Sequence, residues 1–339
     1  MTNEIKTIIV SPSEMKNTFS RILVQHGLTE KKAALCADIF TANSIDGIYT
    51  HGVNRFPRFI NYLKNGFVAL DAEPSLVSKF GGIEQWNGNI GPGILNAIQM
   101  TERVTTLAHE HGIGCVGLAN TNHWMRGGTY GWQAAKAGFV FISWTNTIAN
   151  MPAWGAIDAK LGNNPLVLAL PYKNEAIVLD MAMSQFSFGA MESAVLKNEK
   201  LPVAGGFDKN GNLTDDPSAI LETGRSLPVG YWKGAGLSLL LDIFATILSG
   251  GFSTHEISES GTEYRSSQVF IAIDLTKLGN HSSISKAVES IIQDYHQSVS
   301  IDDSKQITFP GERVLNTRAK NTEGGIPVLA SVWDEILSL

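Results

Sequence analysis

The chain opens with two segments in which apolar residues recur at helical spacing. In the first, Ser11, Pro12 and Glu14 form an N-terminal capping pattern, and apolar positions follow at intervals of three and four until Gly27. Thr29 caps the second segment. The apolar face predicted for this second helix consists of Leu35, Cys36, Ile39 and Phe40. The pattern therefore predicts a small helical unit over residues 1–65.

The pattern changes from helical to strand-like after Gly112, which ends a predicted helix over residues 94–111. The predicted strands are Cys115–Leu118, Phe139–Thr145, Leu166–Leu170, Ala176–Met183 and Gln268–Leu275. The third and fourth of these are joined only by Pro171–Glu175. A loop this short cannot hold the crossover that parallel strands need, so this pair is predicted to be antiparallel.

Helices and an exposed loop complete the pattern in the second half of the chain. Residues 201–228 are rich in Gly, Asp, Asn and Pro and are predicted to form a loop. The predicted helices are a buried one over Gly236–Leu248, an amphipathic one over Ile284–His296 and a short one over Val332–Leu339. We therefore predict an α/β fold of the α+β type, with a mixed or antiparallel sheet.

Gly112, Gly114 and Gly117 form a literal GxGxxG, the spacing of the Rossmann dinucleotide fingerprint. In that fingerprint a strand precedes the glycines and a helix follows them. Here the order is reversed, and no acidic residue for a ribose occurs between Glu110 and Asp158. We therefore reject a Rossmann fold and interpret the glycines as a helix end and close-packed strand positions.

Composition and charge narrow the function classes. The chain has 339 residues and a formal net charge of −6, with no run of Lys or Arg, which argues against nucleic acid as a partner. Two isolated cysteines, Cys36 and Cys115, provide neither a disulfide framework nor a CxxC site. No signal peptide or membrane span is predicted. These features indicate a soluble, cytoplasmic protein.

The stretch between Glu110 and Asp158 is notable because it contains cations, Arg126 and Lys136, but no carboxylate. Its local field favours an anion, or else the stretch is a buried sheet segment that excludes carboxylates. The sequence leaves both interpretations open.

Two clusters contain side chains suited to catalysis. His51 and Arg55 are four residues apart, so a helix would place them on one face, with Gly52 leaving room beside the imidazole. Such a pair can donate a proton next to a carboxylate clamp, or it can be a surface pair with local hydrogen bonds. His123 follows a strand in a polar, glycine-containing segment and can be an acid/base or a structural histidine. No HExxH, GxSxG or Walker motif occurs.

Two other segments are suited to binding a nucleotide. Ala176–Asp180 is an apolar strand with a carboxylate at its end, which can accept hydrogen bonds from ribose. Tyr231–Gly236 precedes a helix and offers backbone N–H groups, a cation and an aromatic ring. Taken singly, an aspartate such as Asp180 is more often a strand-end turn residue, and a tryptophan such as Trp232 is more often a core residue.

Seven segments carry a resemblance that covers nearly the whole chain. They are HGVNRFPRF (51–59), NHWMRGGTYGWQAA (122–135), MPAWGA (151–156), GNNPL (162–166), LDMAMSQFSFG (179–189), LPVGYWKGAGLSLLLD (227–242) and FPGE (309–312). Together they resemble the malate/L-lactate/sulfolactate dehydrogenase family of nicotinamide-dependent oxidoreductases. The resemblance implies a helical domain over residues 1–77, completed by about 280–339, and a two-layer α/β cofactor-binding domain over 78–279.

The resemblance also implies roles for individual residues. His51 would protonate the carbonyl oxygen being reduced, Arg55 would hold the substrate carboxylate, and His123 would line the same pocket, with no metal. The implied partners are NADH or NADPH, a small 2-oxo acid and a second copy of the chain, with the site near the subunit interface. An Asp180 that accepts the ribose 2′-hydroxyl would repel a 2′-phosphate, which favours NADH. The implied cofactor contacts are Ala176, Ile177, Val178, Leu179, Asp180, Met181, Ala182, Trp232, Lys233, Gly311, Glu312 and Arg313.

Two departures from the family pattern bear on the substrate. Trp124-Met125-Arg126 stands where many members have a short glycine-containing loop, and the extra cation suits a polyhydroxylated anion better than malate or lactate. Gly189-Ala190 stands where many members have Gly-Lys, so another group such as Lys233 would take over that role. The leading hypothesis is reduction of a 2-oxo sugar acid. The alternatives are a reductase of another 2-oxo acid and a sugar-acid-binding protein without catalysis.

Overall fold

The structure, a computed structural model, describes residues 6–302 and 304–339. The helices in these ranges are α1 Pro12–Gln25, α2 Glu30–Ile45, α3 Phe56–Lys64, α4 Gly93–His111, α5 Gly127–Lys136, α6 Phe188–Leu196, α7 Pro217–Thr223, α8 Trp232–Ser249, α9 Thr254–Glu259, α10 His281–His296, α11 Glu312–Gly324 and α12 Ala330–Leu337. The strands are β1 Thr7–Val10, β2 Ser75–Phe80, β3 Ile83–Asn87, β4 Ile113–Thr121, β5 Phe139–Thr145, β6 Met151–Pro152, β7 Ala159–Leu161, β8 Leu166–Tyr172, β9 Glu175–Met181, β10 Gly206–Phe207, β11 Leu213–Thr214, β12 Ser266–Asp274 and β13 Ile326–Leu329.

The two ends of the chain meet in a helical part. The Ser11 hydroxyl caps α1 by accepting the Glu14 N–H at 3.1 Å, and the Thr29 hydroxyl caps α2, as predicted. The strand β1 pairs antiparallel with β13, which brings α12 and its buried Trp333 onto the N-terminal helices. In the core of this part, the Phe19 and Phe56 rings stack with centroids 4.1 Å apart. The predicted face of α2 is wrong at Leu35, which is exposed.

A seven-stranded mixed sheet forms the central part of the fold. Its strand order is β2-β3-β4-β12-β5-β8-β9. The strands β3 and β4 pair in parallel, with α4 as the connection between them, and the other neighbours are antiparallel. The antiparallel pairing of β8 with β9 was predicted and is confirmed. The predicted fold class, a mixed α/β fold without Rossmann topology, is therefore confirmed.

Helices cover both faces of this sheet, with α4 on one face and α8 on the other. The central part therefore has three layers, whereas two were expected. Alternate residues of β4 point to opposite faces. A Cβ at Gly114 would lie 2.4 Å from the carbonyl oxygen of Val104 in α4, and one at Gly117 would lie 2.2 Å from that of Leu248 in α8. The sequence interpretation of these glycines as a helix end and close-packed strand positions therefore agrees with the structure. Gly112 follows the end of α4, and Gly114 and Gly117 let two helices approach β4.

The helix α8 was predicted to be buried, and this is wrong for one of its faces. Ala235, Leu241 and Ala245 pack on the sheet, and the Trp144 indole N–H donates to the Leu241 carbonyl at 2.9 Å. By length and composition alone, the helix is long and apolar enough to span a membrane, but the face that carries Ala235, Leu241 and Ala245 packs against the sheet. The opposite face exposes Leu237, Leu239, Leu240, Ile243, Phe244 and Ile247.

The predicted loop over residues 201–228 is also partly structured. It contains the short pair β10 and β11 and the helix α7, which Asp216 caps by accepting the Ser218 N–H at 2.9 Å. Ile220 of α7 is buried with Met191 of α6 and Leu201 in a small separate core. Turns do occur in this segment, as predicted. The elements between them were missed because strands of two residues and a helix of seven are too short to show a hydrophobic period.

Candidate active site

A cleft of about 1400 Å³ lies between the helical part and the sheet. The helical part contributes the segment from Thr50 to Arg58, and the sheet contributes the end of β9 together with the segments that follow β4 and β5. All three predicted catalytic residues line this cleft, as does a residue that the sequence did not point to. These four are His51, Arg55, His123 and Glu263.

His51 and Arg55 lie on two successive 3₁₀ turns, not on one helix as expected. The end of α2 fixes these turns: the Asn43 amide donates to the His51 carbonyl at 2.9 Å, and the Ser44 hydroxyl accepts the Val53 N–H at 2.9 Å. A Cβ at Gly52 would lie 2.3 Å from the Ser44 hydroxyl oxygen. Gly52 therefore allows contact with α2; the room it leaves is not beside the imidazole.

The rings of His51 and His123 stack, with centroids 5.6 Å apart and planes 11° from parallel. The His123 Nδ1 accepts the Met125 N–H at 3.0 Å, which places the proton of the neutral ring on Nε2. Burial, together with positive charge on Arg55 and Arg126, lowers the pKa of His51 to about 3. Burial, followed by the charge of Arg55, also lowers the pKa of His123 well below its usual value. Both rings are therefore neutral at pH 7.

The segment that carries His123 is held rigidly by its neighbour Asn122. The Asn122 side-chain amide donates to the carbonyl oxygens of Phe67, Ile90 and Gly91 at 3.1, 2.8 and 3.0 Å. Asn122 is buried and thereby ties the end of β4 to the chain that leaves the helical part. The polar residues of this segment fix its position and leave His123 facing the cleft.

Two arginines of the helical part are paired with glutamates from other parts of the chain. An Arg55 Nη2 lies 3.6 Å from a Glu263 carboxylate oxygen, and both side chains are less than one-fifth exposed. Burial lowers the pKa of Arg55 and raises the pKa of Glu263. The more exposed Arg58 donates to Glu192 of α6 at 3.1 Å. In this structure the proposed carboxylate clamp is thus in loose contact with a carboxylate of the chain.

Arg126 lines the cleft and also belongs to a buried charge network, and its role as an additional cation for the substrate stays a prediction. Its guanidinium pairs with Asp46 at the end of α2, with N and O 2.5 Å apart. Arg318 of α11 binds the same carboxylate through two hydrogen bonds of 2.7 and 2.9 Å. Arg126 also lies 3.9 Å from Asp180. Its charge is therefore neutralised by carboxylates from outside the acid-free stretch, and it holds elements together.

The predicted cofactor residues divide into two groups in the structure. Asp180 is in the cleft, where one carboxylate oxygen accepts the Gly128 N–H at the start of α5 at 2.7 Å. Burial raises its pKa, against the opposing effect of Arg126. The other residues of the predicted set in the cleft lining are Val178, Leu179, Met181, Ala182, Gly311 and Arg313.

The second group of predicted cofactor residues lies outside the cleft lining of the single chain. Trp232 is 65% exposed on the surface, and the Lys233 ammonium lies 6.0 Å from the centroid of its ring. The Glu312 carboxylate accepts the Phe309 N–H at 3.0 Å and is 3.0 Å from the His296 imidazole, so it shapes the loop before Gly311. The remaining members of this group are Ala176 and Ile177.

Glu263, Asp46 and Arg318 were missed because no local signal marks them. Each acts through a partner far away in sequence: Asp46 and Arg318 are 272 positions apart, and Glu263 reaches Arg55 from the loop before β12. Asn43 and Ser44 gave a weak indication of the site, because polar side chains within a predicted helix that are buried need hydrogen-bond partners, and here these partners are the turns that carry His51 and Arg55. In the described part of the chain no group of three or more His, Cys, Asp and Glu side chains is arranged to hold a metal ion.

Comparison with known proteins gives consistent matches over the whole chain. The sequence model of the malate/L-lactate dehydrogenase family matches residues 10–337. A 2,3-diketo-L-gulonate reductase of Escherichia coli strain 536 is 44% identical over 331 residues, which are 97% of this chain and 99% of that protein. Malate dehydrogenase from Entamoeba histolytica is 25% identical with a TM-score of 0.93, covering 98% and 97% of the two chains. Sulfolactate dehydrogenase from Methanocaldococcus jannaschii is 26% identical with a TM-score of 0.86, covering 97% and 95%.

Proposed function

The chain belongs to the malate/L-lactate dehydrogenase family, and from this we propose that it reduces the C2 carbonyl of a 2-oxo sugar acid. Membership of this oxidoreductase family implies a nicotinamide cofactor. The substrate we propose is 2,3-diketo-L-gulonate, with 3-dehydro-L-gulonate as product, because relatives of that name share 44% of their residues with this chain. The observation that carries the proposal is that His51 and Arg55 line one cleft with the cofactor strand β9.

The two residues have complementary tasks in this reaction. A bound nicotinamide dinucleotide supplies the hydride for C2. Arg55 binds the substrate carboxylate next to the reacting carbonyl and so orients it. His51 gives a proton to the carbonyl oxygen, so that hydride and proton together convert the ketone into a secondary alcohol. His123, stacked on His51 with its own Nδ1 engaged, keeps the His51 ring in place.

Proton donation by His51 depends on the charge of the substrate. Burial, and next repulsion by the charges of Arg55 and Arg126, hold the pKa of His51 at about 3. A substrate carboxylate on Arg55 removes part of this repulsion and raises the pKa, because an opposite charge stabilises the imidazolium. We infer that binding of the 2-oxo acid is accompanied by proton uptake at His51, which prepares the donor only when a substrate is present.

The cleft residues suit a dinucleotide in three respects. Asp180 retains one carboxylate oxygen for ribose hydroxyls. The helix α11 begins at Glu312 without a side-chain cap, and Arg313 lies beside it, which suits phosphate. The buried Asn150 Oδ1 in the cleft wall accepts no hydrogen bond within the described residues and suits a carboxamide N–H. We retain the whole predicted set, with NADH preferred because Asp180 would repel a 2′-phosphate.

We also propose that the protein is a homodimer through the exposed face of α8. The face defined by Leu237, Leu239, Leu240, Ile243, Phe244 and Ile247 is a continuous apolar stripe, which soluble monomers rarely expose. A second copy provides a matching stripe, and Trp232 and Lys233 at the start of α8 would then lie near the interface. In sedimentation velocity, Ile247→Glu should shift the dimer towards monomer, whereas Val299→Glu, which changes an even more exposed apolar residue elsewhere, should not.

A substrate panel tests the proposed function directly. The purified chain is assayed by loss of reduced-nicotinamide absorbance with 2,3-diketo-L-gulonate, oxaloacetate, pyruvate and other 2-oxo acids. We expect the highest kcat/KM with the sugar acid. A higher value with oxaloacetate or pyruvate would establish the alternative of a malate- or lactate-type enzyme, and cofactor binding without turnover of any member would establish a non-catalytic protein. The cytoplasm is the compartment we propose, since both substrate and cofactor are metabolites and Cys36 and Cys115 are unpaired.

A further inference from the structure

Glu263 holds a fixed position in the wall of the cleft. The residues that follow it pack on other segments: the Tyr264 ring packs on Phe67 with centroids 5.3 Å apart, and the Arg265 guanidinium lies over the Phe252 ring at 5.6 Å. The Glu263 side chain is 18% exposed, and one of its oxygens lies 3.6 Å from the Arg55 guanidinium. A separation of 3.6 Å is too long for a strong direct hydrogen bond, so Arg55 retains donors for another carboxylate.

The charges of this corner of the cleft are balanced before any substrate binds. Arg55 faces Glu263, and Arg58 faces Glu192, so that two cations meet two anions. A 2-oxo acid adds one negative charge, which Arg55 receives according to the proposed function. A second carboxylate on the substrate would find Glu263 near the same guanidinium and no unpaired cation among these four groups.

We propose that Glu263 is a specificity-determining residue that favours 2-oxo acids with a hydroxylated tail over 2-oxo dicarboxylates. This inference rests on the proposed function, in that Arg55 binds the C1 carboxylate. A carboxylate accepts hydrogen bonds from hydroxyl groups and repels another carboxylate. In a partly buried site this repulsion is screened less than in water. With the C1 carboxylate on Arg55, the proposal places the part of the substrate beyond the reacting carbonyl beside Glu263, which lines the same cleft.

The closing experiment compares two substrates that differ at one position. Oxaloacetate and 4-hydroxy-2-oxobutanoate share the C1 carboxylate and the C2 carbonyl, but one ends in a carboxylate and the other in a hydroxymethyl group. The ratio of their kcat/KM values cancels any effect of a substitution on the binding of the shared part. In Glu263→Gln we expect this ratio, oxaloacetate over hydroxy acid, to rise about 10- to 100-fold.

Two further variants separate charge from structure. Glu263→Asp keeps the carboxylate, so its ratio should stay within threefold of the parent. Glu259→Gln removes the same charge from an exposed position four residues earlier, and its ratio should also be unchanged. A ratio in Glu263→Gln within threefold of the parent, or an equal rise in Glu259→Gln, would overturn the proposal.

A binding measurement on the unaltered protein covers the case in which Glu263→Gln does not fold. Competitive inhibition is measured with L-malate and with 2,4-dihydroxybutanoate, the reduced forms of the two substrates. The proposal requires the dihydroxy acid to bind at least tenfold more tightly, and equal affinity would overturn it. Both arms are independent of the sugar acid: if 2,3-diketo-L-gulonate is not reduced, the proposed function fails, while the ratio still decides the role of Glu263.

Discussion

The imidazole rings of His51 and His123 lie face to face, with centroids 5.6 Å apart. They come from opposite sides of the cleft, one from the 3₁₀ turn after α2 and the other from the segment after β4. Because each ring is buried and both lie close to Arg55, protonation of either is unfavourable, and protonation of both is more so. The contact therefore joins the two parts of the fold at the point where a proton has to be supplied.

Stability should decrease in acid because of these two histidines. In the folded chain His51 stays neutral down to about pH 3, whereas in the unfolded chain it takes up a proton near pH 6.5. Between these values the unfolded state binds more protons, so acidification favours unfolding by at most about 1.4 kcal/mol per pH unit for each such group. Urea unfolding at pH 7, 6 and 5 should show a flatter pH dependence for His51→Gln than for the parent. Identical slopes would contradict the lowered pKa.

His51→Ala should reduce turnover by roughly 10²- to 10⁴-fold, the range typical of a lost general acid. Cofactor affinity, measured by quenching of protein fluorescence, should change little because the cofactor strand is on the other side of the cleft. His109→Ala provides a control, since His109 is an exposed histidine that pairs with Asp274 far from the cleft. Turnover of His51→Ala within threefold of the parent would remove this residue from the mechanism.

Arg55→Lys should remain damaging although the charge is kept, because an ammonium group cannot make two parallel hydrogen bonds to a carboxylate. We expect kcat/KM for the 2-oxo acid to fall about 10- to 10³-fold, with cofactor dissociation almost unaffected. A substrate analogue that lacks the carboxylate should be poor with the parent and lose little more in the variant. An equal loss with both compounds would show that Arg55 supports the fold or orients His51 instead.

Asp180→Asn should weaken discrimination between the two cofactors. With the carboxylate in place we expect a higher kcat/KM with NADH, since a 2′-phosphate would face a negative charge. The asparagine can still accept the Gly128 N–H through its side-chain oxygen, so the start of α5 should stay in place. Steady-state kinetics with NADH and NADPH test this. Equal values for the parent that do not change in the variant would refute the role of Asp180.

Asp46→Asn should destabilise the fold strongly, although Asp46 itself is not among the residues that line the cleft. The substitution leaves Arg126 and Arg318 without their shared carboxylate, and Arg126 is only 6% exposed. Breaking a buried ion pair from one side costs about 3–5 kcal/mol. Asp38→Asn is the matched control, because its pair with Lys16 is about half exposed and should contribute at most about 1 kcal/mol. Chemical denaturation measures both; similar losses would mean that the Asp46 network is not stabilising.

The elements with a clear period or a clear cap were predicted well. The capping hydroxyls of Ser11 and Thr29 accept hydrogen bonds from N–H groups three positions away. The connection between β8 and β9, two residues long in the structure, leaves no other pairing. His51, Arg55 and His123, for which the family resemblance implied one pocket, all line the cleft, and their roles stay predictions. By contrast β1, β13 and α11 were not predicted, because short strands at the chain ends and a helix of low hydrophobicity carry little periodic signal.

Local interactions act between residues three or four positions apart, so the sequence alone is enough to predict them. For this reason the helix starts, the strand pairing across a short turn and the rejection of a Rossmann fold at the GxGxxG segment all followed from the sequence. Long-range partners depend instead on how whole elements pack. In the sequence, Arg126 is a cation in a stretch without carboxylates, and only the fold places Asp46 and Arg318 next to it. In the same way, only the fold places Glu263 next to Arg55. The apolar period of α8 was readable, but packing on the sheet assigned one face to the core and left the other exposed.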